Sequence, residues 1–425
     1  MYVDHNSILK GFDPIFPIIR RQFPVRLYCI LALALPVVWW LLQASEKYTD
    51  RVPARLLIAT FAWVTLLQWI LHTLAPYSLK QAIVNQNATS FYQLPDVLSA
   101  KAYLAHFLAV RGALPLHAAT NMPGKGLFFY ALRIFGKWPT VFALVIMLVS
   151  NLGGFFVHDL AFRLSASPRG AFYAAVLYWL HPAKIFMFPL LNTVTPVLLL
   201  ANLWLLLKCI DSPKLIWIIR TGVSLYALFL FELLPLGCGL FHVFFLGHSV
   251  WSRKRTFREA MGIAAGTAAS FFLCYFLFWF LTGLQIFRVA FDLIKNNSVY
   301  YQTNSPPLWY LTNIGNLAVG LGCGTCVALV VCLAWQIKNG AWSRLRSLTT
   351  AYAAIFVLTL VILEIMGVTR AEILRLWIFL ACMAFPFLGP MFARIGKPVF
   401  FRSVVMVNLA QTAIALSLVG FIWWP

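Results

Sequence analysis

Leu114-Pro-Leu-His117-Ala-Ala-Thr-Asn121-Met-Pro123-Gly124-Lys125-Gly126 lies near the end of a comparatively polar interval, Pro76 to Trp138, set between long apolar runs. The interval also holds Asn87, Tyr92, Asp96, His106 and Arg111. A chain of many membrane spans keeps so long a polar stretch when it folds against the membrane face. The surroundings leave little doubt about the membrane: 62% of the 425 residues are hydrophobic and 11% are charged, and the mean hydropathy is +0.83. Soluble domains carry about 25% charge, so a soluble globule is excluded.

Apolar runs of about 18 or more residues mark membrane-span candidates. They recur near 27–43, 54–75, 139–158, 171–190, 191–209, 215–235, 236–250, 259–283, 313–336, 349–366, 375–392 and 403–424. The expectation is an all-α polytopic integral membrane protein, one membrane-embedded domain over 1–425, with about 11–12 transmembrane helices. Prolines and histidines interrupt the 171–250 region. The first run does not read as a cleavable signal, because many residues precede it and no small-residue cleavage motif follows.

The net charge of +21 follows the positive-inside pattern. Basic residues gather in short loops: Arg253-Lys-Arg255 with Arg258, Lys338 with Arg344 and Arg346, and Arg394 with Lys397 and Arg402. These loops are expected in the cytoplasm. No aromatic-and-basic pattern accompanies them, so no nucleic-acid partner is expected. Counting spans from these loops puts 76–138, a second loop at 282–312 and the short link Gly367–Leu374 on the non-cytoplasmic face. The same parity puts the first 26 residues outside, although they carry Lys10, Arg20, Arg21 and Arg26. Either one span is miscounted, or the run at 27–43, broken by Pro36, is re-entrant or a surface helix.

Within 76–138, Leu94, Val97, Leu98, Leu104, Phe107, Leu108 and Val110 recur at helical spacing. Pro95-Asp96 is a start signal and Gly112 a stop. A second amphipathic piece runs from Gly126 to Phe135. Two juxtamembrane helices lying on the membrane surface are predicted. The eight cysteines include Cys323-Gly-Thr-Cys326, which sits inside an apolar run without a second pair and reads as small residues easing helix packing. No metal-ligand cluster is visible, so neither metal nor cofactor is expected.

Of the twelve acids, Asp96, Glu232, Asp292, Glu364 and Glu372 fall on or near the non-cytoplasmic face. Asp96 is the lone carboxylate of the interval, placed either to accept a proton or to cap a helix. Should it be a cap, Glu232, Asp292 or Glu364 is next. His117 and Lys125 flank Pro123-Gly124, where a helix N-terminus offers amides to an anion; the alternative is a tight turn. Arg370-Ala-Glu372-Ile-Leu-Arg375-Leu-Trp377 places two arginines around one glutamate. Glu372 pairs with one arginine and leaves the other for a phosphate, or all three form a structural ion pair. Asn296-Asn297-Ser298-Val-Tyr300-Tyr301 and Pro306-Pro307-Leu-Trp309-Tyr310 supply aromatics that anchor the chain at the interface or stack on sugar rings. Asn87-Ala-Thr89 and Asn296-Asn-Ser298 match the glycosylation triplet.

Together these residues resemble the GT-C superfamily of polytopic glycosyltransferases, which includes the protein mannosyltransferases and the lipid A aminoarabinose transferase. The first external loop with two juxtamembrane helices corresponds to 76–138. His117 with Pro123-Gly124 looks like the family's His…Pro-Pro-Gly element, with Met122 in place of the first proline. Arg370 to Trp377 resembles its late Gly-Glu-x-x-Arg-x-Trp element, with Ala371 in place of the glycine. Pro307-Leu-Trp309-Tyr310…Asn313…Asn316 resembles the loop before a late span. The family usually carries an acid just after the span entering the first loop, whereas Pro76 to Pro95 has none, only amides such as Asn85 and Asn87.

The resemblance implies an inverting transferase that moves a sugar from a polyprenyl-phosphate carrier to a lipid, glycan or protein acceptor, with membrane lipids around it. Asp96 is then the catalytic base. Asn87, His117, Lys125, Tyr301, Trp309, Arg370, Glu372 and Arg375 are the substrate contacts. A lipid or solute transporter or flippase, and a catalytically inactive scaffold of the same architecture, are the alternatives.

Overall fold

The computed structural model describes residues 23–48, 52–86, 88–304, 309–338, 347–367 and 373–422. Every regular element among them is helical. A bilayer offers no water to backbone N–H and C=O groups, so each apolar run meets its hydrogen bonds internally. In chain order the principal helices are α1 Val25–Ser45, α2 Ala54–His72, α3 Pro123–Leu132, α4 Pro139–Ser165 and α5 Pro168–Trp179. There follow α6 Thr195–Asp211, α7 Leu215–Phe231, α8 Gly239–Trp251, α9 Phe257–Thr282 and α10 Ile286–Asn304. The last are α11 Trp309–Leu321, α12 Cys323–Lys338, α13 Leu348–Met366, α14 Phe385–Ile395 and α15 Pro398–Leu418.

Among the described residues, eight helical segments are long and apolar enough to cross a membrane, or nine if the bent pair α11–α12 is one span. This is fewer than the sequence suggests, for a physical reason. Three apolar runs fold as helices of 12, 17 and 13 residues, α5, α7 and α8. About 20 residues are needed to cross about 30 Å of hydrocarbon. Pro182 and Pro235 follow shortly after the first two, where proline cannot continue a helix.

Ion pairs fix which helix ends share a face. Arg402 Nε lies 3.2 Å from Glu46 Oε1, and Arg169 donates to the Glu46 carbonyl at 3.0 Å. The end of α1 and the starts of α5 and α15 therefore meet. Arg163 bonds Asp159 at 2.5 Å and also pairs with Asp211, which takes Lys254 at 2.5 Å. The ends of α4, α6 and α8 meet there too, and all belong to the end of the bundle that carries the basic loops. The opposite end carries the start of α4, the end of α7, helix α10 and the 76–138 interval. Helix α1 continues unbroken through Pro36, so the first run is one continuous helix, long and apolar enough to cross a membrane, rather than a re-entrant piece.

The interval is not a pair of helices lying flat. Short helices at Leu79–Val84, Leu94–Val97, Ala100–Ala105, Phe107–Val110 and Leu116–Thr120 precede α3. The helix expected from Pro95 to Gly112 is cut at Leu98, which is extended (φ −128°, ψ 145°). Ser99 restarts it by accepting the Ala102 N–H at 3.2 Å. Tyr103 and Phe107 are buried, in one cluster with Phe229 of α7 and Ile286 and Val289 of α10. Burial of these rings gives the interval its own core, and α10 fills most of the second loop at 282–312.

Between α11 and α12 the chain bends by 103° at Gly322, whose φ is +93°. The freed backbone groups are met by α15: Gln411 Oε1 accepts the Cys323 N–H at 2.7 Å, Asn408 Oδ1 accepts the Thr325 N–H at 3.3 Å, and Gln411 Nε2 donates to the Val319 carbonyl at 3.0 Å. A break at membrane depth persists where protein groups satisfy it in this way. A Cβ at 322 would lie 2.5 Å from Asn408 Oδ1, so both the conformation and the space call for glycine.

Candidate functional site

Pro123 opens α3, where its fixed φ and missing N–H suit the first helical position. Gly124 is helical rather than a flexible turn. A Cβ there would stand 2.5 Å from the Leu230 carbonyl oxygen and 2.9 Å from Phe231 Cα. Glycine thus lets the start of α3 press on the end of α7. That contact carries Lys125 to Glu232, the residue that closes α7 in an extended conformation (φ −156°, ψ 137°).

Lys125 Nζ pairs with Glu232 Oε2 and donates to Asn121 Oδ1 at 2.7 Å. Both members of the pair are buried, Lys125 at 2% exposure and Glu232 at 8%. Asn121 Nδ2 donates to the His117 carbonyl at 2.8 Å, and the His117 N–H donates to Ser90 Oγ at 3.2 Å. Arg375 Nη1 lies 3.2 Å from His117 Nε2. A guanidinium has donors only, so this contact selects the neutral imidazole with its proton on Nδ1. Glu232, Lys125, Asn121, His117 and Arg375 form one continuous polar chain. It joins the 76–138 interval, the end of α7 and the short late helix Ile373–Leu376.

Burial pushes the Lys125 ammonium below the ordinary lysine pKa; Glu232 opposes that shift and Arg375 adds to it. Among the described residues, the arrangement sets one carboxylate among three nitrogen bases at the rim of a helix bundle. Chemically it can take up an anion on the bases and a proton on the carboxylate.

The sequence-predicted residues divide. His117, Lys125 and Arg375 are brought together. Asp96 is not part of this chain. Its two oxygens take Arg133 Nη2 and Lys137 Nζ, each at 2.6 Å. Arg133 lies at the far end of α3, about 12 Å along the axis from Lys125 at 1.5 Å per residue. A hydrogen bond from Lys137 holds the Asp96 pKa below the usual carboxylate value, with Arg133 helping and burial opposing. Asp96 is thus held in its own ion pairs, apart from His117, Lys125 and Arg375. Nor does Asp96 cap the helix: Gln93 occupies the N-cap, and Asp96 sits in the first turn of Leu94–Val97.

Asn87, Arg370 and Glu372 lie outside the described residues. Tyr301 falls in the last turns of α10. Trp309 opens α11, with its ring edge-on to Tyr310 at 6.1 Å. Glu364, near the end of α13, accepts from Asn313 Nδ2 at 3.3 Å, and Asp292 lies on α10.

Lys184 is a buried base that the pattern of acids along the chain does not point to. It is 3% exposed, donates to Asn151 Oδ1 and stands 4.5 Å over the Tyr178 ring. Asn151 Nδ2 in turn reaches Thr65 Oγ1 and Gln68 Oε1, both at 2.9 Å. Its signal was an ionisable residue inside the 171–190 run, which in a membrane marks a place worth inspecting.

Compared with known proteins, the sequence matches no protein-family model and no curated protein.

Proposed function

We propose that this chain is a polytopic membrane glycosyltransferase that moves a sugar from a polyprenyl-phosphate carrier to an acceptor hydroxyl at the face bearing the 76–138 interval. The observation that carries the reading is the polar chain from Glu232 through Lys125 and His117 to Arg375, which joins a carboxylate to three bases. The all-helical bundle and the resemblance of its motifs to the GT-C superfamily agree with it.

In this mechanism the acceptor oxygen attacks the sugar C1 while its proton passes to Glu232. The bond between C1 and the phosphate oxygen breaks, its electron pair leaves on the polyprenyl phosphate, and the anomeric configuration inverts. Lys125, His117 and Arg375 hold the phosphate and the charge that grows on it. An arriving phosphate competes for Lys125 and so releases Glu232 to act as base. The base role expected of Asp96 passes in this reading to Glu232, because Glu232 is the carboxylate in contact with Lys125 at the head of the polar chain.

The test is turnover by the purified protein in nanodiscs, with polyprenyl-phosphate sugars supplied one at a time and release of polyprenyl phosphate measured. Glu232→Gln keeps a carbonyl oxygen for Lys125 but cannot take a proton. It should lower turnover by roughly 10²–10⁴-fold, the usual worth of a general base. Failure of every donor with wild type, or full turnover by folded Glu232→Gln, overturns the assignment.

A further inference from the structure

A second site lies away from this polar chain, inside the membrane-crossing part of the bundle. A cavity of about 300 Å³ opens between α6, α7, α8 and α9. Its wall is mostly leucine and alanine, with Val243, Pro235 and Gly239, and has three polar interruptions: Asn202, His242 and Thr267. The volume is at the lower end of small-molecule sites, which join an apolar lining to a few placed polar groups.

Those three side chains carry hydrogen-bonding capacity that no described residue uses. Asn202 is fully buried, and its Nδ2 donates to the Thr221 carbonyl at 3.0 Å and to Ser224 Oγ at 2.7 Å. A backbone carbonyl accepts only, so the amide orientation is fixed and Oδ1 is the atom left over. Asn202 Oδ1, Thr267 Oγ1 and both ring nitrogens of His242 are buried without a hydrogen-bond partner. Groups of this kind are costly to leave unmet in hydrocarbon.

Depth narrows what can meet them. Counted from the helix ends at Asp211, Trp251 and Phe257, with 1.5 Å per residue, the three residues lie about 13–15 Å into the bundle. That is close to half of the roughly 30 Å hydrocarbon thickness. Val243, also in the wall, is 73% exposed, so the cavity opens sideways toward the lipid rather than toward water. No lysine, arginine or carboxylate lines it, which disfavours a charged headgroup. Asn202 Oδ1 asks for a donor, and Thr267 and His242 each accept or donate. A hydroxyl supplies both roles in one atom.

We infer that this cavity binds a neutral lipid whose small hydroxyl-bearing head reaches the middle of the bilayer and hydrogen-bonds Asn202, His242 and Thr267. The charged lipid carrier of the proposed reaction is a different ligand with a different address, at the Lys125–Arg375 end. The inference does not depend on that reaction.

The experiment uses the full chain in nanodiscs and a photoactivatable analogue of hexadecanol with a mid-chain diazirine. Light should attach the probe to peptides covering 199–206 and 239–246, and excess hexadecanol should suppress the labelling. Hexadecane and farnesyl phosphate should not. Asn202→Leu and Thr267→Val should each weaken the specific component about tenfold, as expected for one lost hydrogen bond. The competition series needs wild-type protein alone, so misfolded variants do not blunt the test. Equal competition by hexadecane would mean ordinary acyl-chain filling, and stronger competition by farnesyl phosphate would mean the carrier's tail. Either result, or labelling that does not saturate, overturns the inference.

Discussion

Lys125 and Glu232 stand 107 positions apart in sequence and meet in one buried ion pair, with Asn121 taking a second hydrogen bond of the ammonium. Removing one partner of such a pair strands the other charge, which costs about 3–5 kcal/mol, whereas replacing both with apolar groups is often neutral. Glu232→Leu and Lys125→Met should therefore each lower stability by that amount in detergent unfolding, and the double variant should lose much less than the sum. A double variant whose loss equals the sum would show that the two side chains do not act together.

Asp96 should behave as a surface ion pair. Asp96→Asn should keep near-normal turnover and cost at most about 1 kcal/mol, the range for exposed pairs. Its folded pKa is depressed, so its contribution is present above the ordinary carboxylate value near 3.9 and fades as pH falls through the lower folded value. Melting temperatures of wild type and variant should converge in strong acid. A variant that loses turnover while keeping its stability would restore Asp96 as a chemical group.

Gly124 holds α3 against α7. In Gly124→Ala the new methyl meets the Leu230 carbonyl, and overpacking of this kind costs about 1–3 kcal/mol. Gly112→Ala is the matched control, since a Cβ at 112 meets nothing within 4 Å. Comparison of the two melting curves checks the point; equal curves would remove Gly124 from the account of how Lys125 reaches Glu232.

Orientation is open to chemistry at Ser99, an exposed residue in the interval. With the exposed Cys29 and Cys323 first changed to alanine, Ser99→Cys should react with an impermeant thiol reagent in intact cells. Reaction only after the membrane is opened would reverse the assignment of faces.

Uninterrupted apolar runs were legible. The runs at 54–75, 139–158, 259–283 and 349–366 became α2, α4, α9 and α13, because composition alone dictates a helix where no water reaches the backbone. Breaks were not legible. Nothing in the composition of 313–336 announces that Gly322 turns the chain and that Asn408 and Gln411, far along in sequence, satisfy the gap. The site was half legible in the same way. His117, Lys125 and Arg375 stood out as bases at a membrane edge. Glu232 ends an apolar run remote from them, and which acid faced Lys125 depended on the end of α7, at Leu230 and Phe231, closing on Gly124. Nearness in sequence favoured Asp96, while packing favoured Glu232.

The split origin of the ion pair also sets an order of assembly during synthesis. When Lys125 leaves the ribosome, α6 and α7 have not been made, and the carboxylate it needs is still untranslated. An ammonium does not give up its hydration without a partner, so the lysine must wait in water until α7 has entered the membrane and presented Glu232. Arg375 arrives later again. Nascent chains halted before residue 232 should leave Lys125 open to amine-reactive reagents, and chains halted well beyond it should protect it.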